Sequence, residues 1–115
     1  MAQGPIKAQK QWRYVGHAVG TNSVTLPTDN EWEEIYVDAR FGLNPLYGFN
    51  FHRIRSVLTN ATGNAGCYQL NGSYISATDA HSCALTMLKT SVALKQWQYN
   101  GQDRVSSGYI DVYVR

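Results

Sequence analysis

The stretch Tyr109-Ile110-Asp111-Val112-Tyr113-Val114-Arg115 stands at the end of the sequence and decides the fold class. Its even positions are β-branched aliphatic residues and its odd positions are Tyr, Asp, Tyr and Arg, which is the two-residue period of a half-buried strand. The backbone of such a strand needs hydrogen-bond partners in a sheet. The preceding run, residues 91–99, is rich in strand-forming residues and is followed by the turn dipeptide Asn100-Gly101. We therefore expect an antiparallel pair of these two strands, joined by a loop of about nine residues.

Alternating or β-branched runs recur through the rest of the chain at intervals of roughly ten residues. Residues 34–41 place Ile35 and Val37 on one face and Tyr36 and Asp38 on the other. Further strands are predicted at residues 11–19 and 23–27, paired with each other across a Gly-Asn turn, and at residues 49–58, 67–70, 73–76 and 82–89. The pattern predicts an all-β fold, an antiparallel, jelly-roll-like β-sandwich of about eight or nine short strands.

The length of 115 residues indicates one domain. Residues 1–11 are polar and aperiodic, so we expect a flexible N-terminal leader, followed by a single β-sandwich domain over residues 12–115. The net charge is +2 and only 16% of residues are charged, which does not indicate nucleic-acid binding. Without an apolar run of membrane-spanning length or a signal peptide, we expect no membrane insertion and synthesis in the cytoplasm. Cys67 and Cys83 are then expected as thiols, with Cys83 in the core.

Catalytic and metal-binding patterns are absent from the sequence. The three histidines share no ligand spacing and neither cysteine has a partner two residues away, so no metal or cofactor is expected. Nucleophile elbows and phosphate-binding glycine loops are missing as well. Glu31, Glu33 and Glu34 are interpreted as a solvated acidic corner, because a glycosidase pair is recognised only by its separation in space. We therefore expect a protein that is not an enzyme.

The aromatic residues, three Trp, eight Tyr and three Phe, are the more informative class. Trp and Tyr are favoured where a surface presents a flat apolar face with a polar edge to a sugar or a protein. Trp97 and Tyr99, followed by Asn100, Asp103 and Arg104, form the candidate ligand-binding site, and a glycan suits its chemistry. The pattern is equally compatible with Trp97 as the core tryptophan of a sandwich.

Three tyrosines face away from the aliphatic rows of their strands and form the candidate oligomer interface. They are Tyr36, Tyr109 and Tyr113. A chain with 12% aromatic and 16% charged residues has little charge with which to solvate every strand face. Symmetric assembly, as a homotrimer, would bury part of this surface and cover strand edges.

The order of several short motifs resembles that of a known family. They are Val15-Gly16, Thr21-Asn22-Ser23, Val24-Thr25-Leu26-Pro27, Glu34-Ile35-Tyr36-Val37, Phe51-His52 and the ending Ile110-Asp111-Val112-Tyr113-Val114-Arg115. Together they resemble the small β domain at the C-terminal end of tail-fibre, head-fibre and related surface proteins of bacteriophages and prophages. The resemblance implies a virion protein made in the bacterial cytoplasm, commonly homotrimeric, whose partners are other virion proteins and a bacterial surface glycan. Such fibres have a long upstream shaft, whereas about ten residues precede the domain here, so either a small virion component or a fragment is implied.

Three functional hypotheses follow. The first is a non-enzymatic virion protein that binds a bacterial surface receptor or another virion component. The second is a stand-alone carbohydrate-binding module, and the third is a small glycan hydrolase. Oligomeric state separates the first two, since a trimer is expected of a fibre tip and a monomer of a module.

Overall fold

The computed structural model describes residues 10–59, 82–99 and 101–115. Within them, eight strands form two antiparallel sheets: β1 (Arg13–Val19), β2 (Ser23–Thr25), β3 (Glu34–Phe41), β4 (Gly48–Ile54), β5 (Ser82–Met87), β6 (Ser91–Tyr99), β7 (Gln102–Asp103) and β8 (Gly108–Val114). The first sheet has the order β1-β8-β3-β4, and the second has the order β2-β6-β5, with β7 also paired to β6. This arrangement confirms the predicted all-β fold, an antiparallel β-sandwich. The strands predicted at residues 67–70 and 73–76, and residues 1–9 of the predicted leader, lie outside the described residues.

The core lies between the two sheets and is filled by strands that bury every second side chain. On β8, Ile110, Val112 and Val114 are fully buried, which confirms the face predicted from the alternation. Each such aliphatic side chain contributes about 1.5–3 kcal/mol when it is buried. Cys83 is buried as predicted. The largest other fully buried side chains of the core are Trp32, Trp97, Phe41, Phe51 and Ile35.

The predicted pairing of the last two long strands is wrong. Strand β8 lies between β1 and β3 in the first sheet, whereas β6 lies in the second sheet. After β6 the chain turns back briefly as β7, and a 3₁₀ turn at Val105–Ser107 then carries it to the other sheet. At this crossing, a Cβ atom on Gly108 would stand 2.9 Å from Leu94 Cδ1, so the two strands face each other across the core. Alternation shows which face of a strand is buried, but it does not identify the strand that satisfies its backbone.

The pairing predicted for the first two strands is also wrong, since β1 belongs to the first sheet and β2 to the second. The turn between them is as tight as predicted: Gly20 has a φ of 62° and Asn22 donates from its backbone N–H to Val19 O. The turn redirects the chain across the core instead of closing a hairpin. A Cβ atom on Gly16 would lie 3.1 Å from Val24 Cγ1, which places β1 directly over β2.

Each sheet contains one break in register that alters which side chains face inward. On β6, Gln96 pairs with Ala84 and Leu94 pairs with Leu85, so Lys95 is an extra, bulged residue. Because of this bulge, Leu94 and Trp97 are both buried although they are three positions apart. A bulge of this kind re-aims every side chain that follows it.

Candidate functional site

The structure does not place Trp97 in the predicted ligand-binding site. This side chain is 0% exposed and packs against Phe41, with ring centroids 5.8 Å apart, and against the edge of Phe49 at 5.2 Å. The core interpretation of Trp97 is therefore the correct one, and its predicted contact with ligand is wrong. The physical reason is the bulge at Lys95, which turns Trp97 inward.

The other predicted ligand-binding residues that the structure describes have contacts of their own near the end of β6, and their role in ligand binding stays a prediction. Tyr99 is half-buried and stacks on Phe41 with a centroid distance of 4.7 Å. Asp103 Oδ1 accepts hydrogen bonds from the backbone N–H groups of Trp97 and Val105, so its side chain shapes the turn. Arg104 is exposed and donates to Gln102 Oε1 at 2.7 Å. Asn100 lies outside the described residues.

The outward-facing side of the first sheet, here called the outer face, brings aromatic, charged and hydrogen-bonding side chains together in the described part of the chain. The strand register arranges its residues in rows that run across β1, β8, β3 and β4. The aromatic row contains Tyr14, Tyr113, Tyr36 and His52. The polar row beside it contains His17, Asp111, Asp38 and Asn50, and a third row contains Val19, Tyr109 and Arg40. The three tyrosines predicted as an oligomer interface thus share the outer face, while their role in assembly stays a prediction.

The aromatic row is a continuous strip of rings. The Tyr14 and Tyr113 centroids are 5.4 Å apart, and those of Tyr113 and Tyr36 are 6.0 Å apart. Trp12, just before β1, extends the strip because its ring lies 5.6 Å from Tyr36 and 5.7 Å from His52. Tilted and edge-on arrangements of this kind are the favoured geometries of aromatic pairs.

Two carboxylates stand opposite each other at the centre of the polar row. Asp38 and Asp111 are register partners on β3 and β8, a placement that is unfavourable for like charges. Neighbouring groups offset the repulsion: Arg40 Nε donates to Asp38 Oδ1 at 2.9 Å, and the Tyr14 hydroxyl donates to Asp111 Oδ1 at 3.1 Å. His17 Nδ1 also lies 2.9 Å from Asp111 Oδ1. The row is therefore a set of oriented hydrogen-bonding groups in which Asp38 has a cationic partner and Asp111 is held by a hydroxyl and an imidazole.

Glu34 marks the end of the outer face beyond the aromatic row. Arg115 Nε donates to Glu34 Oε2 at 2.8 Å, and His52 Nε2 lies 2.9 Å from Glu34 Oε1. The Arg115 guanidinium, and after it His52, hold the pKa of the Glu34 carboxyl below its usual range. The Arg115 guanidinium also lies 4.2 Å above the Trp12 ring, so the cation joins the carboxylate to the aromatic strip.

Two tyrosine hydroxyls of the aromatic row have a raised pKa. Partial shielding from water, and then the hydrogen bond to Asp111, raise the pKa of Tyr14. Shielding from water, and then the charge of Asp38, raise the pKa of Tyr36. Both hydroxyls can therefore donate hydrogen bonds at neutral pH.

Sequence alternation alone does not find this site, because it places Tyr14 and His17 on opposite faces of β1. The register shows why they share a face: Tyr14 pairs with Tyr113 and Gly16 pairs with Val112, so Val15 is bulged. Glycine within a strand is a signal of a bulge or of close backbone approach, and Gly16 was the available clue.

Metal sites and membrane-spanning helices are two further features that the described residues can be compared with. The described residues contain no group of three or more His, Cys, Asp or Glu side chains that could hold a metal ion. Among the same residues, no helix has the length and apolar character needed to cross a membrane. Comparisons of the chain with protein-family models, with curated proteins and with solved structures found no match.

Proposed function

We propose that this chain is a non-enzymatic adhesion domain of a bacteriophage virion, and that it binds carbohydrate of the bacterial surface on the outer face. The observation that carries the binding surface is the aromatic row with the polar row directly beside it. The sequence resemblance to fibre domains supports the virion setting.

The two rows match the two kinds of surface on a sugar. The C–H groups on one side of a pyranose ring stack on aromatic faces, and Tyr113 and Tyr36 offer such faces at the centre of the sheet. Sugar hydroxyls both donate and accept hydrogen bonds, and the carboxylates of Asp38 and Asp111 are strong acceptors. Both chemistries occur on neighbouring rows of one sheet, so one ligand can use them together.

Association with other copies of the chain is the second candidate for this face. Val19 is 50% exposed and Ile54 is 56% exposed at its borders, which adds apolar surface to Tyr36, Tyr109 and Tyr113. However, the centres of protein interfaces are depleted of charged residues. The Asp38–Arg40 pair and Asp111 occupy the centre of this face, which favours a hydrated, hydroxyl-rich ligand.

Glycan binding is tested by incubating the fluorescently labelled protein with an array of bacterial oligosaccharides. Tyr113→Ala should weaken binding to the array about tenfold, because it removes the central ring of the aromatic row. Leu46→Ala is the matched control, since this exposed residue lies in the β3–β4 loop. Wild-type protein that binds no glycan, or Tyr113→Ala protein that is folded and binds as well, would contradict the proposal. Shorter oligosaccharides released in solution would identify a hydrolase instead.

Assembly is tested by analytical ultracentrifugation at micromolar concentration. We expect a homotrimer whose mass is unchanged in Tyr113→Arg, because the outer face is assigned to ligand. A trimer that dissociates in this variant would assign the face to subunit contact and contradict the glycan proposal. A monomer in both proteins would remove the fibre-like assembly and leave a stand-alone carbohydrate-binding module.

A further inference from the structure

We infer that the outer face takes a neutral glycan chain, which lies across the strands along the aromatic row with hydroxyl groups directed to the polar row. This inference rests on the proposed function and adds the charge class of the ligand, its direction on the sheet and the number of sugar units that the aromatic row can contact.

The direction follows from the spacing of the rings. The row crosses four strands whose neighbours lie about 4.8 Å apart, so it is about 14 Å long. The steps of 5.4 Å and 6.0 Å between the centroids of Tyr14, Tyr113 and Tyr36 are close to the length of one sugar unit in a chain. A chain that ran along β8 instead would leave the aromatic row at Asp111, two residues from Tyr113. Only a ligand that crosses the strands keeps successive rings stacked.

The charge class follows from the two arginines described on this face, because each of them is paired with a carboxylate. Asp38 is bonded to Arg40, and Glu34 is bonded to Arg115. A uronate or phosphate group would find each arginine already bonded to a carboxylate, and it would lie near further negative charge. An ammonium group would meet the same two arginines. Uncharged hydroxyls avoid both repulsions.

The polar row keeps hydrogen-bonding capacity for such hydroxyls. Asp38 and Asp111 both use Oδ1 for their hydrogen bonds on the outer face, and a carboxylate has two oxygens that accept. The neighbouring Asn50 Oδ1 is enclosed without a hydrogen-bond partner among the described residues. Because an unsatisfied amide is unfavourable, rotation of this group towards a bound hydroxyl would be favoured.

The direction is tested with two tyrosines of the same face, using the glycan that binds most tightly on the array and calorimetry. Tyr36→Ala should weaken binding about tenfold, whereas Tyr109→Ala, in the third row, should weaken it less than about twofold. Equal losses, or a larger loss for Tyr109→Ala, would overturn the crossing direction. Thermal unfolding of both variants confirms that they are folded.

The charge class and length are tested with maltooligosaccharides and cellooligosaccharides as neutral probes, oligogalacturonate as the acidic probe and chitosan oligosaccharides as the cationic probe. We expect neutral probes to bind more tightly with each added sugar up to about three or four rings, and salt to change affinity less than about twofold. Preference for either charged probe, strong salt dependence, or a disaccharide that binds as tightly as a tetrasaccharide would overturn the inference. If a glycan binds and Tyr113→Ala weakens its binding about tenfold, the proposed function stands whatever these probes show.

Discussion

Two aromatic clusters lie on opposite sides of the first sheet, and they differ in what they face. Inside, Trp97 and Tyr99 both stack on Phe41. Outside, Tyr113 and Tyr36 lie in an open strip beside charged residues. Both clusters come from alternating strands rich in aromatic residues, so composition does not distinguish them. A single bulged residue decides the orientation of Trp97, which shows that register, more than residue type, separates a core side chain from an outward-facing one.

The largest expected effect separates two neighbouring residues of β8, of which one faces the core and the other lies on the outer face. Val112 is 0% exposed, so Val112→Asp places a charge in the core and should lower the free energy of unfolding by at least about 3 kcal/mol. Tyr113→Ser alters the outer face and should cost about 1 kcal/mol. Urea unfolding at neutral pH measures both values. Similar losses for the two variants would mean that the outer face is buried in the protein in solution.

The two clusters are compared directly by removing one tryptophan from each. Trp97→Ala should lower the free energy of unfolding by about 3–5 kcal/mol, because it leaves a cavity among Phe41 and Phe49. Trp12→Ala removes a half-buried ring and should cost about 1 kcal/mol, while weakening glycan binding. If Trp12→Ala proved the more damaging variant in chemical denaturation, the assignment of inner and outer clusters would be wrong.

The smallest effect is expected at Glu34, on the rim of the outer face. Because its pKa in the folded state is lowered, ionised Glu34 stabilises the fold above the unfolded-state pKa, and this contribution is lost as pH falls through the folded-state pKa. The difference in stability between wild type and Glu34→Gln should therefore be largest near neutral pH. It should become smaller as the pH falls below about 4.

Thermal unfolding measured across this pH range tests the Glu34 prediction. Glu33→Gln controls for the removal of one negative charge, since Glu33 is exposed and precedes Glu34 directly. A Glu34→Gln difference that is the same at pH 3 and pH 7 would show that the contacts with Arg115 and His52 do not act through charge.

The parts of the fold that the sequence predicts are those that depend on local alternation. The strand at residues 34–41 and the inward face of β8 were both correct, because a two-residue period and burial on one side have the same physical cause. Which strand lies beside β8 depends on contacts between residues far apart in the chain. Local periodicity contains no information on those contacts, so the pairing of β1 with β2 and that of β6 with β8 were both predicted wrongly.

The site was less predictable than the fold for a related reason. Tyr36, Tyr109 and Tyr113 were correctly placed on outward positions, since no bulge interrupts β3 or β8. Tyr14 and His17 join them only through the bulge at Val15, and Trp97 leaves the predicted ligand site only through the bulge at Lys95. A one-residue change of register reverses the face of every later side chain. Gly16 is the one local signal in the sequence for the bulge at Val15, and the bulge at Lys95 has no such signal.

The positions of the three tryptophans give the domain separate optical reporters. Trp97 and Trp32 are 0% and 1% exposed, so their emission is that of indoles shielded from water and changes when the core opens. Trp12 lies on the outer face against Tyr36 and His52, and its emission responds to whatever displaces water there. Fluorescence of the unlabelled protein can therefore follow unfolding and ligand binding as two distinct signals.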